Sequence, residues 1–162
     1  MSQSISNLSD SLSAFFSNPI ILSALTGWIL SQLIKGIIAL IQIRKKGLRD
    51  VLETLVWRTG GMPSSHAAVV ISMTAAVGFH EGIGSNLFAV SLFMAAVVLR
   101  DAMGVRRSSG LQARALNLLG ALVAKKLDIE FQPVKEIKGH GPLEVVVGAL
   151  LGFFIAAAYA FL

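Results

Sequence analysis

Long apolar runs divide the chain into segments of helical length. The first extends from Pro19 to Ile43 and is interrupted by only a few polar residues and one charge, Lys35. At roughly 1.5 Å per residue it exceeds the ~30 Å hydrocarbon core of a bilayer, so it predicts a membrane span. Residues 143–162 are apolar except for Glu144 and predict the last span.

Two shorter apolar runs, residues 67–79 and 87–99, flank the polar turn HEGIGSN at 80–86. Each is too short to span a bilayer alone, but together with their flanks they predict a membrane hairpin of two helices. Gly, Ala and Ser are frequent there, which is typical of helices that pack closely in lipid. The pattern therefore predicts about four spans.

The remaining segments are mixed in character. Residues 1–18 are rich in Ser and Asn and predict a short amphipathic or loose lead-in. Residues 47–58 place apolar side chains near helical spacing with charges opposite, which predicts an interfacial helix. Residues 113–123 predict a buried or interfacial helix that is too short to span.

Composition supports a membrane protein. The chain of 162 residues is 54% hydrophobic and 14% charged, whereas soluble domains carry roughly 25% charged residues. A disordered chain is excluded because such chains are poor in apolar residues. We therefore expect one all-α domain over residues 1–162, an integral membrane bundle of about four transmembrane helices with additional interfacial helices. The absence of cysteine excludes disulfides and thiolate metal sites.

The basic residues predict sidedness rather than nucleic-acid binding. The net charge of +5 comes from clusters beside apolar runs, chiefly at 44–49 and 100–142. Such clusters are typical of cytoplasmic flanks and of contacts with anionic lipids. Because a two-helix hairpin separates them, both clusters are predicted on the same, cytoplasmic side. The turn at 80–86 and both termini would then face outward.

The same topology brings a set of ionisable residues to one membrane face: His66, Asp101, Arg106, Arg107, Lys135, Lys138, His140 and Glu144. Two histidines, a carboxylate and several cations form a typical phosphoryl-transfer set, in which one histidine attacks phosphorus, the other protonates the leaving oxygen and the cations hold the anionic oxygens.

Spacing and position refine this hypothesis. If the last helix begins near Gly139, His140 and Glu144 share a helix face, and the carboxylate can orient the imidazole. Ser64 or Ser65, where a loop enters a helix, can cap that helix, whose free N–H groups form an anion site.

Several of these residues have competing interpretations. Arg106 and Arg107 are as well explained by topology as by phosphate binding. Lys35 is more typical of a side chain that reaches for the interface than of a ligand. Asp101 is better explained as the partner of a nearby arginine, and His80, in the opposite turn, as non-catalytic.

Three segments resemble one family: GGMPSSHAA, RDAMGVRRSSGLQARALN and GHGPLEVVVGALLG are similar to the divergent PAP2 family, over about residues 19–162. That family is related to acid phosphatases and vanadium-dependent haloperoxidases. PAP2 enzymes are helical proteins that remove phosphate without a metal. The resemblance implies that His66 is the leaving-group acid. It also implies that His140 is the nucleophile that becomes phosphohistidine, with Glu144 as its orienting carboxylate.

The chain departs from the PAP2 motifs at several positions. PSGH reads PSSH, HxxxD reads HxxxE, KxxxxxxRP is absent before Pro63, and Val134 stands where SRxxxxxHxxxD has arginine. The phosphate-binding cations are therefore reassigned, first to Arg106 and Arg107, then to Lys135 and Lys138, with Lys35 as a further candidate.

The sequence thus predicts a membrane lipid phosphatase that hydrolyses a lipid phosphomonoester or diphosphate at a cytoplasm-facing site. Neither metal nor organic cofactor is expected, and the partners are membrane lipids, with small-residue helix faces compatible with a homodimer. The host membrane would be a bacterial plasma membrane or an organellar membrane such as that of a plastid. The alternative is a catalytically inactive relative that binds anionic lipid or a partner protein.

Overall fold

The computed structural model describes residues 2–42, 61–136, 139 and 141–162. In this part of the chain there are helices and connecting segments but no strands. The helices are α1 (Ser2–Ser17), α2 (Pro19–Gln42), α3 (Ser65–Glu81), α4 (Asn86–Met103), α5 (Val105–Leu127) and α6 (Pro142–Phe161). The all-α class is confirmed, while the interfacial helix predicted at 47–58 lies outside the described residues.

Three described segments are long and apolar enough to cross a membrane: Pro19–Ile38, a window within Asn86–Leu127, and Pro142–Phe161. A helical membrane bundle is therefore confirmed. The predicted hairpin is also present, as α3 and α4. Helix α3 has 17 residues and is about 25 Å long, shorter than a ~30 Å hydrocarbon core. Three helices rather than four thus meet the requirement for a span.

The lead-in at 1–18 is mostly helical, as α1. Only Asn18 separates the end of α1 from the first span. The side chain of Asn18 accepts a hydrogen bond from the Ile20 N–H at 2.9 Å, which caps the start of α2. Pro19 fits the first helical position because its missing N–H would have no partner there. The Asn-Pro pair therefore separates α1 from α2.

Helix α5 is longer than the predicted 113–123 segment. It begins after Gly104 and ends at Asp128, which adopts a left-handed conformation with φ of 53°. The extra turns contain Arg, Lys, Ser and Gln. Three of these residue types, Arg, Lys and Gln, are good helix formers, but they do not contribute to a hydrophobic periodicity. An expectation based on apolar periodicity alone therefore gave too short a helix.

Helix α3 lies at the centre of the bundle, packed against α2, α4 and α6. Glycines on two neighbours make this possible. A Cβ at Gly148 or Gly152 of α6 would overlap the carbonyl oxygen of Ser64 or Ala68, and one at Gly27 of α2 would lie 3.1 Å from the Ala68 oxygen. The backbones of α2 and α6 thus approach α3 directly, as small residues permit in membrane helices.

Interhelical contacts define two ends of the bundle. At one end, Lys35 of α2 bonds to Ser65, and the Ser64 N–H donates to the Glu144 oxygen. At the other, the Phe79 ring packs against those of Phe153 and Phe161. Helices α3 and α6 therefore run parallel, away from the Ser64–Glu144 end, and α2 runs antiparallel to both.

The glycine contacts predict a clear stability effect. Gly152→Ala places a Cβ into the backbone of α3, so the two helices must separate, at a cost of about 1–3 kcal/mol. We expect a lower midpoint in thermal unfolding of the purified protein in detergent. Gly84→Ala is the control, since a Cβ at Gly84 meets nothing within 4 Å, and its midpoint should match the parent. Equal midpoints for both variants would contradict this packing.

Candidate functional site

The PSSH segment forms the entrance to α3. Ser64 is the N-cap, with extended backbone angles (φ −68°, ψ 117°), and its Oγ accepts a hydrogen bond from the Ala67 N–H at 3.4 Å. Of the two serines proposed as caps, Ser64 therefore fills that role. Ser65 and His66 occupy the first two helical positions, where backbone N–H groups lack intrahelical acceptors and favour anions.

Lys35 is buried in the bundle beside this helix start. Its side chain is only 6% exposed, and its Nζ donates to the Ser65 Oγ at 3.0 Å. The carboxylate of Glu144 acts electrostatically on the same ammonium. A side chain that reached for the membrane surface would be exposed, so this expectation for Lys35 is wrong. The cation instead lies inside the protein and bonds to Ser65, the residue before His66.

The third component is the start of α6. Gly141 is its N-cap, Pro142 its first helical residue, and a Glu144 Oε2 accepts from the Gly141 N–H at 3.3 Å. The expectation that the helix begins near Gly139 is therefore wrong, because proline at the first position and its extended neighbour fix the start at residue 142. His140 precedes the cap, so the shared-face argument for His140 and Glu144 does not apply.

Helix α6 is tied directly to the PSSH segment. The Ser64 N–H donates to the Glu144 carbonyl oxygen at 2.9 Å. This one bond joins the N-cap of α3 to the first turn of α6, although the residues are 80 positions apart in the chain. Ser64, Ser65, Lys35 and Glu144 thus form one cluster.

Arg107 lies near the same region through its backbone. A Cβ at Gly139 would lie 2.5 Å from the Arg107 N and 2.6 Å from its Cα, so the two backbones are in direct contact. The Arg107 side chain is exposed, as is Lys135 in the segment before Gly139. Arg106 belongs to α5, but its side chain lies outside the described part of the chain.

The remaining predicted residues divide into two groups. His140 and Lys138 lie outside the described residues, although Gly139 and Gly141 on either side of His140 are described. His80 is exposed near the end of α3, at the opposite end of the bundle from Lys35. Asp101 is half-buried near the end of α4. Its role as an arginine partner stays a prediction.

Two features of the described residues were not anticipated from the sequence. One is the buried Lys35–Ser65 pair, and the other is Asn117, whose side chain binds the segment before Gly139. Long-range partners of this kind leave no periodic signal in a single sequence. Within the same residues, no group of three His, Cys, Asp or Glu side chains gathers in a way that could hold a metal ion.

Comparison with known proteins gives a family match. A sequence model of the family described as "Divergent PAP2 family" matches residues 16–155. The chain is 37% identical over 152 residues to a protein of Bacillus subtilis (strain 168) described as "Uncharacterized membrane protein YuiD", covering 87% of this chain and 93% of that protein. No solved structure matches.

The bundle predicts which loops share a membrane side. Since the chain has no cysteine, single variants can be labelled without a background. Met62→Cys and Lys135→Cys should react with a membrane-impermeant maleimide from the same side, the cytoplasmic one. Ile83→Cys, 78% exposed in the opposite turn, should react only from the other.

Labelling is measured on intact cells and on inverted vesicles. Reaction of Met62→Cys and Lys135→Cys from opposite sides would separate the two halves of the cluster and rule out a common site. Reaction of both from outside would keep the site but reverse its predicted orientation.

Proposed function

Since the chain belongs to the divergent PAP2 family, we propose that it is a membrane phosphatase that hydrolyses a lipid phosphomonoester or diphosphate through a phosphohistidine intermediate. Lys35 carries the proposal: a lysine buried among membrane helices donates to the first residue of the helix that bears His66. A buried ammonium in a membrane segment is costly and is typical of functional sites.

In the proposed first step, an imidazole nitrogen of His140 attacks phosphorus in line with the leaving oxygen. The N–P bond forms as the P–O bond to the lipid alcohol breaks, and His66 gives its proton to that oxygen. In the second step, water attacks the phosphohistidine, neutral His66 takes a proton from the water, and phosphate leaves His140. Both histidines are thereby restored.

Electrostatics at the start of α3 supports this chemistry. The Lys35 ammonium and the first N–H groups of the helix would face the non-bridging oxygens, where negative charge spreads in the transition state. Ser65 already accepts from Lys35, so its hydroxyl is positioned to bind a phosphate oxygen in turn. Arg107, whose backbone contacts Gly139, is the second proposed cation.

Glu144 has a positioning role in this proposal. Its carboxylate accepts from the Gly141 N–H, and its carbonyl oxygen accepts from the Ser64 N–H. The residue therefore connects the turn after His140 to the helix that carries His66. A glutamate reaches further than the aspartate of HxxxD, which suits an interaction with the backbone of this turn.

The second candidate function is lipid or partner binding without catalysis. The observation that favours it is the absence of KxxxxxxRP and the presence of Val134 at the arginine position of the SR motif. A protein of this kind would retain the cationic cluster but release no phosphate.

The two candidates differ in the effect of the histidines on phosphate release. In nanodiscs that contain phosphatidate or an isoprenoid diphosphate, His140→Ala should abolish release of inorganic phosphate. His66→Ala should lower the rate about 10²–10⁴-fold, since it removes general acid catalysis. His80→Ala, at the opposite end of the bundle, is the matched control and should retain the parent rate. Equal release by all variants and the parent would leave only the binding function.

Lys35 provides a separate test of phosphate binding. Lys35→Met keeps an unbranched side chain, one heavy atom shorter, but removes its charge, and loss of a charged hydrogen bond corresponds to about 1.5–3 kcal/mol. We expect kcat/KM for the lipid phosphate to fall about 10–100-fold while the protein remains monodisperse. Lys125→Met, exposed near the end of α5, is the control. An unchanged kcat/KM in Lys35→Met would assign phosphate binding to other cations.

A further inference from the structure

The described residues between α5 and α6 lie along α5. Residues 129–136 and 139 have no regular secondary structure, and we call them the return segment. Phe131 meets α5 at Gly120, where a Cβ would overlap the phenyl ring. Gly139 meets it at Arg107, near the start of the helix. The segment therefore runs antiparallel to α5 and ends beside the PSSH cluster.

Asn117 fastens the middle of the return segment. Its Oδ1 accepts from the Val134 N–H at 2.8 Å, and its Nδ2 donates to the Val134 carbonyl oxygen at 2.9 Å. The same Nδ2 donates to the Glu136 Oε1 at 3.1 Å. One side-chain amide thus satisfies both backbone groups of Val134, which lies outside regular secondary structure.

The position of Asn117 connects it to the candidate site. Four residues separate Val134 from Gly139, and Gly141 is the N-cap of α6. Asn117 fixes the segment upstream of these glycines, and Glu144 fixes the turn downstream through the Gly141 N–H. Gly139 and Gly141 are therefore each held at an anchor, Gly139 against α5 and Gly141 on α6.

We propose that Asn117 is a positioning residue: it holds the return segment on α5 and so sets the placement of Gly139 and Gly141 beside the start of α3. Since His140 stands between these two glycines in the sequence, the catalytic consequence rests on the proposed function. The placement itself does not, and it can be measured without substrate.

The first experiment is hydrogen–deuterium exchange of the full-length protein in nanodiscs. In Asn117→Ala, amide exchange should be at least tenfold faster around Val134 and also in a peptide that covers residues 139–145. Exchange within α3 should stay unchanged. Gln112→Ala is the matched control, because this amide side chain lies on the same helix and its Nε2 donates to the Ser108 Oγ, within α5 itself. Unchanged protection of residues 139–145 in Asn117→Ala would overturn the proposal.

An exchange of polarity provides a rescue. Asn117→Asp keeps an acceptor for the Val134 N–H but places a second carboxylate beside Glu136. Adding Glu136→Gln restores a donor–acceptor pair between the two positions with the direction reversed. We expect fast exchange in the single variant and at least partial protection in the double variant. An effect of Asn117 on helix stability alone would give no such recovery, and equal exchange in both variants would therefore count against positioning.

Kinetics then separates this proposal from the proposed function. With an active parent protein, Asn117→Ala should lower kcat at least tenfold and change KM less than twofold, because phosphate binding at Lys35 and α3 is untouched. Unchanged kcat despite faster exchange would overturn the catalytic consequence. A parent without phosphatase activity would refute the proposed function, while the exchange data would still decide whether Asn117 positions Gly139 and Gly141.

Discussion

Direct contact between the backbones of α3 and α6 determines how the rest of the structure is arranged. Within lipid there is little hydrophobic gain from helix association, so close packing and hydrogen bonds supply the stability. Gly148 and Gly152 lie against the carbonyl oxygens of Ser64 and Ala68, where no larger residue fits. This approach brings the Ser64 N–H within 2.9 Å of the Glu144 oxygen. The loop before α3 and the turn before α6 meet because α3 and α6, which follow them, are in direct contact.

A buried charge then gives this end of the bundle its chemical character. Lys35 would be costly among membrane helices without polar neighbours, and Ser65 and Glu144 supply them. Both neighbours are available only because α2 and α6 pack on the same central helix. The cost of burial and the packing of α3 are therefore linked, and the positive charge lies where the first N–H groups of α3 also favour an anion.

The sequence predicted features that depend on local composition. Apolar runs identified the membrane class and the hairpin, and the serines before a helix limited the cap to Ser64 or Ser65, of which Ser64 is the cap. Features that depend on distant partners could not be predicted in this way: the burial of Lys35 requires knowledge of α3, and the length of α5 was missed because its ends are polar. The start of α6 was a different case, since Pro142 is a visible helix-start signal that the spacing of His140 and Glu144 obscured.

The departures from the PAP2 motifs acquire a physical interpretation from these contacts. At the arginine position of the SR motif, Val134 offers only its backbone, and both of its polar groups are taken up by Asn117. The return segment at this point thus provides attachment rather than charge. In the proposed site, positive charge would come instead from α2, through Lys35, and from the start of α5, through Arg107, whose backbone contacts Gly139. On the proposed mechanism, phosphate would be held by cations from the helices while the return segment places the nucleophile, so the two tasks fall to different parts of the chain.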